Sequence, residues 1–128
     1  MHKDNNVLTG KIIGAGIEVH RSLGPGLLES AYQRCLAREL EIQGITYKYE
    51  WPLPLEYKGV RIAGGYRMDL LVEGRVMVEV KAVSVLAPIH DAQLLTYMRL
   101  RRVGLGLLMN FNEVVLKDGI RRKILDVD

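Results

Sequence analysis

The sequence predicts an α/β (α+β) domain, with a central mixed β-sheet flanked by helices, two of them N-terminal. Three observations predict it. Apolar residues recur at helical spacing through residues 8–43. Residues 45–83 become β-rich and carry turn signals. A third helical stretch then separates them from a short apolar run and an alternating final segment.

The first helix is expected from about Leu8 to Leu23, with Thr9 as N-cap and Ile12, Ile13, Gly16, Ile17, His20 and Leu23 at helical spacing. Gly24-Pro25-Gly26 breaks it. The second runs from Leu28 to Gln43 on a stripe of Leu28, Tyr32, Leu36 and Leu40, and Gly44 suits the position after its end. Ile45–Tyr49, Leu53–Tyr57 and Val60–Ala63 read as strands, with a turn at Lys58-Gly59. Pro52 and Pro54 suit an edge. Tyr66–Val72 and Val76–Val83 are the strongest strand candidates, joined by Glu73-Gly74-Arg75. Pro88 opens a third helix that reaches Arg102. Leu105–Asn110 reads as a buried strand, Lys117-Asp118-Gly119 as a turn and Ile120–Leu125 as a final strand.

A length of 128 residues fits one domain, 1–128. With 48% apolar and 26% charged residues, the composition excludes disorder and suits a folded, soluble chain. Cys35 is the one cysteine, which excludes an internal disulfide framework and multi-cysteine metal sites. No apolar run is long enough to span a bilayer. Met1–Asn6 is polar and carries no secretory core, so a reducing cytoplasm is the expected location. The net charge of +3 leans toward a polyanionic partner. Arg99, Arg101 and Arg102 cluster, as do Arg121, Arg122 and Lys123. Each cluster reads either as a solvated surface or as a phosphate contact.

The chemistry gathers in the central hairpin. Tyr66, Met68, Leu70, Val72, Val76, Val78 and Val80 are even-numbered and apolar, while Arg67, Asp69, Glu79 and Lys81 are odd. Side chains two apart on a strand share a face. If both apolar sets enter one core, a three-residue loop centred on Gly74 sets Asp69 opposite Glu79 and Arg67 opposite Lys81. A two-residue turn would slip the register. Carboxylates across a strand pair repel. Lys81 can simply neutralise them, or a divalent cation can lie between Asp69 and Glu79 with the Lys81 ammonium aimed at the same place.

Asp69, Glu79 and Val80-Lys81 form D-x9-E-x-K, which resembles the signature of the PD-(D/E)XK nuclease superfamily. Gly26, Glu29 and Tyr32 form G-x-x-E-x-x-Y, which is similar to the name-giving motif of the small GxxExxY proteins of that superfamily. The resemblance extends over the whole chain: Ile12–His20, Leu23–Gly26, Tyr57-Lys58-Gly59, Gln93 with Tyr97, and Asn110-Phe111. Met68 precedes the first acid where the superfamily's name has proline.

The resemblance implies a restriction-endonuclease-like core and a metal-dependent nuclease that uses Mg2+ or Mn2+ on nucleic acid, with DNA the expected form. It implies Asp69, Glu79 and Glu29 as metal-holding acids and Lys81 as the group that positions water for in-line attack, leaving a 5′-phosphate. From the residues alone, Glu29 also suits a helix-dipole carboxylate. His20 suits a core histidine, but the exonuclease branch of the superfamily implies a metal ligand there. Tyr32 is expected chiefly to pack. Gln93 and Tyr97 share a helical stripe with His90. The same branch implies that this pair supports the lysine and the nucleic-acid backbone. Arg99 and Arg102 are expected phosphate contacts. A bare core of this size predicts a homodimer and no membrane partner. The competing readings are a non-catalytic nucleic-acid-binding or assembly module on the same scaffold, and a hydrolase of smaller phosphate esters.

Overall fold

Two helices, α1 (His2–Leu23) and α2 (Glu29–Ile42), open the chain in the computed structural model, which describes residues 2–127. α1 begins well before Leu8, so Thr9 is not its cap. Thr9 lies inside the helix, and its Oγ1 donates to the Asn6 carbonyl at 3.0 Å. α2 begins one residue after Leu28, which is the exposed cap and not part of the buried stripe of Tyr32, Leu36 and Leu40. It closes on Gly44 at φ 74°. The Gly44 N–H donates to the Glu41 carbonyl, and the Ile45 N–H to that of Leu40. These two bonds satisfy carbonyls that the helix end would leave bare.

The strands are β1 (Tyr47–Pro52), β2 (Leu55–Tyr57), β3 (Val60–Ile62), β4 (Arg67–Val72) and β5 (Val76–Lys81), followed by α3 (Pro88–Arg101) and β6 (Leu105–Asn110). A 3-10 turn at Leu116–Gly119 leads into β7 (Ile120–Ile124). β2 and β3 form a separate hairpin through Lys58 and Gly59, both at positive φ, as a two-residue turn demands. The remaining strands form one sheet in the order β1-β4-β5-β6-β7. β5 and β6 are parallel and the other neighbours antiparallel, so the sheet is mixed as predicted. The parallel pair requires a crossover, and α3 supplies it. Pro52 ends β1, an edge strand, where its missing N–H costs no ladder bond.

Both faces of this sheet are buried. Ile12, Tyr32, Leu36 and Leu40 of α1 and α2 pack on Leu70, Val72, Val78, Val80, Leu107 and Met109. Leu94 and Met98 of α3 pack with Met68, Leu71, Met77 and Leu108. This is why Leu105–Asn110 reads as an unbroken apolar run. Gly106 admits α3, since a Cβ there would meet Met98 Sδ at 2.6 Å.

The expected single apolar face needs a correction. Leu70 and Val72 belong to the α1/α2 side, but Met68 belongs to the α3 side. β1 changes side at the same level: Tyr49 packs with the first cluster and Trp51 with the second. Tyr49 pairs with Leu70 and Trp51 with Met68, and between them Glu50 adopts φ 49°. That left-handed residue twists the strand pair at the level of Asp69, and strict alternation ends there. Tyr66 lies before β4 and is exposed.

Tyr32 ties the first two helices to the sheet. It is fully buried. Its hydroxyl donates to the Gly24 carbonyl at 2.6 Å and accepts from the Leu27 N–H at 3.0 Å, closing the turn that Gly24 and Gly26 make at positive φ. Its ring stacks on Phe111 at 4.8 Å between centroids. Tyr32→Phe keeps the stack and removes both bonds. Thermal unfolding should show a loss of about 1–2 kcal/mol; an unchanged Tm would mean the turn holds without them.

Candidate active site

β4 and β5 pair from the turn only as far as Leu70 opposite Val78. Beyond that, β4 stays with β1 through Met68 and Arg67, and β5 stays with β6 through Glu79, Val80 and Lys81. The two strands part, and Asp69 and Glu79 meet in the fork, in the register that a loop centred on Gly74 requires. Their side chains replace the missing ladder. Asp69 Oδ2 accepts the Val80 N–H at 2.7 Å, and Glu79 Oε2 accepts the Asp69 N–H at 3.1 Å. One oxygen of each carboxylate is therefore fixed by a backbone donor. The other accepts no backbone donor among the described residues.

Glu79 is only 5% exposed. Burial holds its carboxyl well above the usual carboxylate range; the Asp69 charge and a side-chain hydrogen bond with Asp69 add to this, while the Asp69 backbone N–H opposes it. The charge of Lys81 also opposes it and is the weakest of these effects. Among the described residues neither acid has an ion-pair partner within 4.0 Å. Lys81 instead donates to Gln93 Oε1 at 3.5 Å. Gln93 Nε2 donates to the Tyr97 hydroxyl at 3.0 Å. A lysine present only to neutralise the pair would sit on it; this one is drawn aside by α3. Burial and the Glu79 charge raise the Tyr97 phenol, which keeps its proton. Gln93 and Tyr97 are thus brought together with Lys81. His90 lies on the same stripe three residues earlier, but its Nδ1 accepts the Ala87 N–H and caps α3.

The donor chemistry suits a small divalent cation. Two hard carboxylates lie together, one buried, and neither is neutralised by the chain. The four expected ligands are not gathered, however. Among the described residues no three His, Cys, Asp or Glu side chains form a metal-holding group. The physical reason is the layering. Glu79 and Lys81 share the α3 side with Met77, whereas α1 and α2 cover the other side. Glu29 is the first residue of α2, half-buried, where a carboxylate complements the helix dipole. His20 is buried, and its Nε2 hydrogen-bonds the Glu113 carbonyl at 2.7 Å.

The basic clusters disperse. Arg101 lies 3.7 Å from the Trp51 ring centroid and donates to the Pro52 carbonyl. Arg121 and Lys123 pair with Asp91. Arg99 is exposed beside Thr96. Arg102 ends α3 and donates to the Val127 carbonyl. It lies beside Leu105, where β6 begins, at the opposite end of the sheet from Lys81.

Sequence reasoning gave Asn110 no role in the site. It is fully buried at the end of β6, in register with Lys81. Its Oδ1 accepts the Val83 N–H at 3.0 Å, and its Nδ2 donates to the Val83 carbonyl at 2.9 Å. This clamp fixes the chain two residues after the lysine. The available signal was one polar residue closing an apolar run.

The raised carboxyl of Glu79 has a consequence for stability. The native state holds this proton more tightly than the unfolded chain does. Its contribution is therefore full below the unfolded carboxyl value of about 4.3 and is lost as pH climbs through the raised native value. Glu79→Gln keeps the shape and never ionises. With chelator present, its Tm should exceed that of the wild type at pH 8, and the gap should close at pH 4. A variant that melts below the wild type at pH 8 would remove the buried-charge account.

A family profile described as the PD-(D/E)XK nuclease superfamily matches residues 6–123. No curated protein and no solved structure matches the chain. The match includes the fork, the Lys81–Gln93–Tyr97 relay and both N-terminal helices, and the chain belongs to the PD-(D/E)XK nuclease superfamily.

Proposed function

We propose that this protein is a metal-dependent nuclease that hydrolyses phosphodiester bonds of nucleic acid, with DNA as the expected substrate. The observation that carries the proposal is the Asp69–Glu79 pair. It consists of two acids fixed by each other's strand, without an ion-pair partner among the described residues, with an ammonium held just aside by Gln93. A structural hairpin gains nothing from burying Glu79 against a second carboxylate.

Asp69 and Glu79 would hold Mg2+ or Mn2+, which supplies positive charge to the phosphate and acidifies water. Lys81 carries the other positive charge. Its position, set by Gln93 and in turn by Tyr97, directs it to the attacking water or to a phosphate oxygen rather than to the acids. Asn110 keeps the end of β5 from moving as that ammonium works. Glu29 and His20 are proposed as further ligands on the family resemblance alone; they are not gathered with the pair among the described residues. A homodimer is proposed from the small size of the core, and light scattering tests it against the 14.5 kDa chain mass.

Plasmid nicking with Mg2+ or Mn2+ is the direct test. Asp69→Asn and Lys81→Ala should each lower the rate by about a hundredfold or more. Equal product from the wild type and both variants would mean a contaminating nuclease. No product from any of them, with nucleic-acid binding intact, would instead establish a non-catalytic binding module. An equal loss in Glu29→Gln would bring that acid into the working site.

A further inference from the structure

A second charged feature lies at the far end of the sheet. Beside the turn that joins β4 to β5, a cavity of about 660 Å³ opens between α1, the end of α3 and β7. Arg75, Arg102 and Arg122 line it from three separate elements, and no carboxylate lines it with them among the described residues. Each guanidinium is held by a neutral oxygen. Arg122 donates to Asn6 Oδ1 at 2.7 Å, Arg102 to the Val127 carbonyl at 2.7 Å, and Arg75 to Asn5 Oδ1 at 3.4 Å. None of the three is in an ion pair among the described residues. A neutral acceptor orients a guanidinium without cancelling its charge, and each keeps further N–H donors for a ligand.

Their neighbours in sequence behave differently. Arg101, Arg121 and Lys123 are committed to Trp51, Pro52 and Asp91. Of these groups, Arg121 and Lys123 are ion-paired, whereas, among the described residues, the three arginines that face the cavity are not. Arg102 sits at φ 54° and ψ 47°, a left-handed helix end that glycine occupies more readily.

We propose that Arg75, Arg102 and Arg122 form a phosphate-binding site distinct from the carboxylate fork. From Gly74 to Glu79 it lies about 16 Å away along β5. Planar guanidinium forks match the oxygens of a phosphate monoester or diester. The cavity has the size of a small-ligand site. The phosphate comes either from a nucleic-acid backbone or from a free phosphate compound.

Inorganic phosphate is the probe, titrated against Tm with ionic strength balanced by chloride. At about ten times Kd the wild type should gain about 5 °C. Asp69→Asn should gain the same, which separates this site from the proposed cleavage chemistry. Arg122→Gln and Arg102→Gly should lose the gain. The glycine suits the left-handed backbone, so the basal Tm of Arg102→Gly should hold or rise; if it falls, Arg122→Gln carries the comparison. Displacement of a labelled single-stranded oligonucleotide by phosphate, lost in Arg122→Gln, identifies the backbone as the source. An oligonucleotide that stays bound identifies free phosphate. Equal gains in the wild type and both arginine variants would reduce the effect to bulk salt and overturn the site. Loss of the gain in Asp69→Asn would move the phosphate to the fork and overturn it equally.

Discussion

The parting of β4 from β5 depends on two carboxylates that take over the work of a β-ladder. Asp69 accepts the Val80 N–H and Glu79 accepts the Asp69 N–H, so the fork leaves neither of these donors bare. Without those acceptors the strands would have to stay zipped or leave donors buried. Each strand then leans on its outer neighbour, β1 or β6. The fork and its chemistry are therefore one feature. The backbone bonds pin the acids, and the acids make the opening tolerable. The cost is a buried Glu79 beside a like charge, which folding alone would not select.

The hairpin register was legible because two constraints agreed: the apolar alternation of both strands and a three-residue loop with Gly74 at φ 66°. The change of side at Met68 was not legible. It follows from the φ of Glu50 on the neighbouring strand, and nothing in the local sequence of β4 announces it. The start of α1 was hidden for a related reason. Asn5 and Asn6 lack apolar character because they bond Arg75 and Arg122 rather than pack, so periodicity seemed to begin at Leu8. The arginine runs misled because neighbours in sequence point in different directions on a helix or strand. Arg121 and Lys123 reach Asp91, while Arg122 between them reaches Asn6.

The G-x-x-E-x-x-Y stretch gains a mechanical meaning. Gly26 turns at φ 102°, and the Tyr32 hydroxyl closes the loop that starts at Gly24. Glu29 is thereby set in the first turn of α2. The Tyr32 ring rests on Phe111, whose own N–H donates to the Lys81 carbonyl at 2.8 Å. A motif on one side of the sheet is thus two contacts from the lysine on the other. The tyrosine acts as a strut, and it bears on Lys81 through the backbone.

Net charge is a poor guide to how such a molecule meets a polyanion, because it counts committed and uncommitted groups alike. At the fork two acids stand beside one ammonium, so this corner offers phosphate little attraction of its own, and under the proposed function a cation would supply it. On the proposed reading, attraction comes from guanidiniums that are in no ion pair among the described residues. Those of Arg75, Arg102 and Arg122 gather at the other end of β5. The sheet would then separate two tasks that oppose each other electrostatically. Close packing of the arginines against Asp69 and Glu79 would pair them off, leaving neither a place for a cation nor a free surface for phosphate.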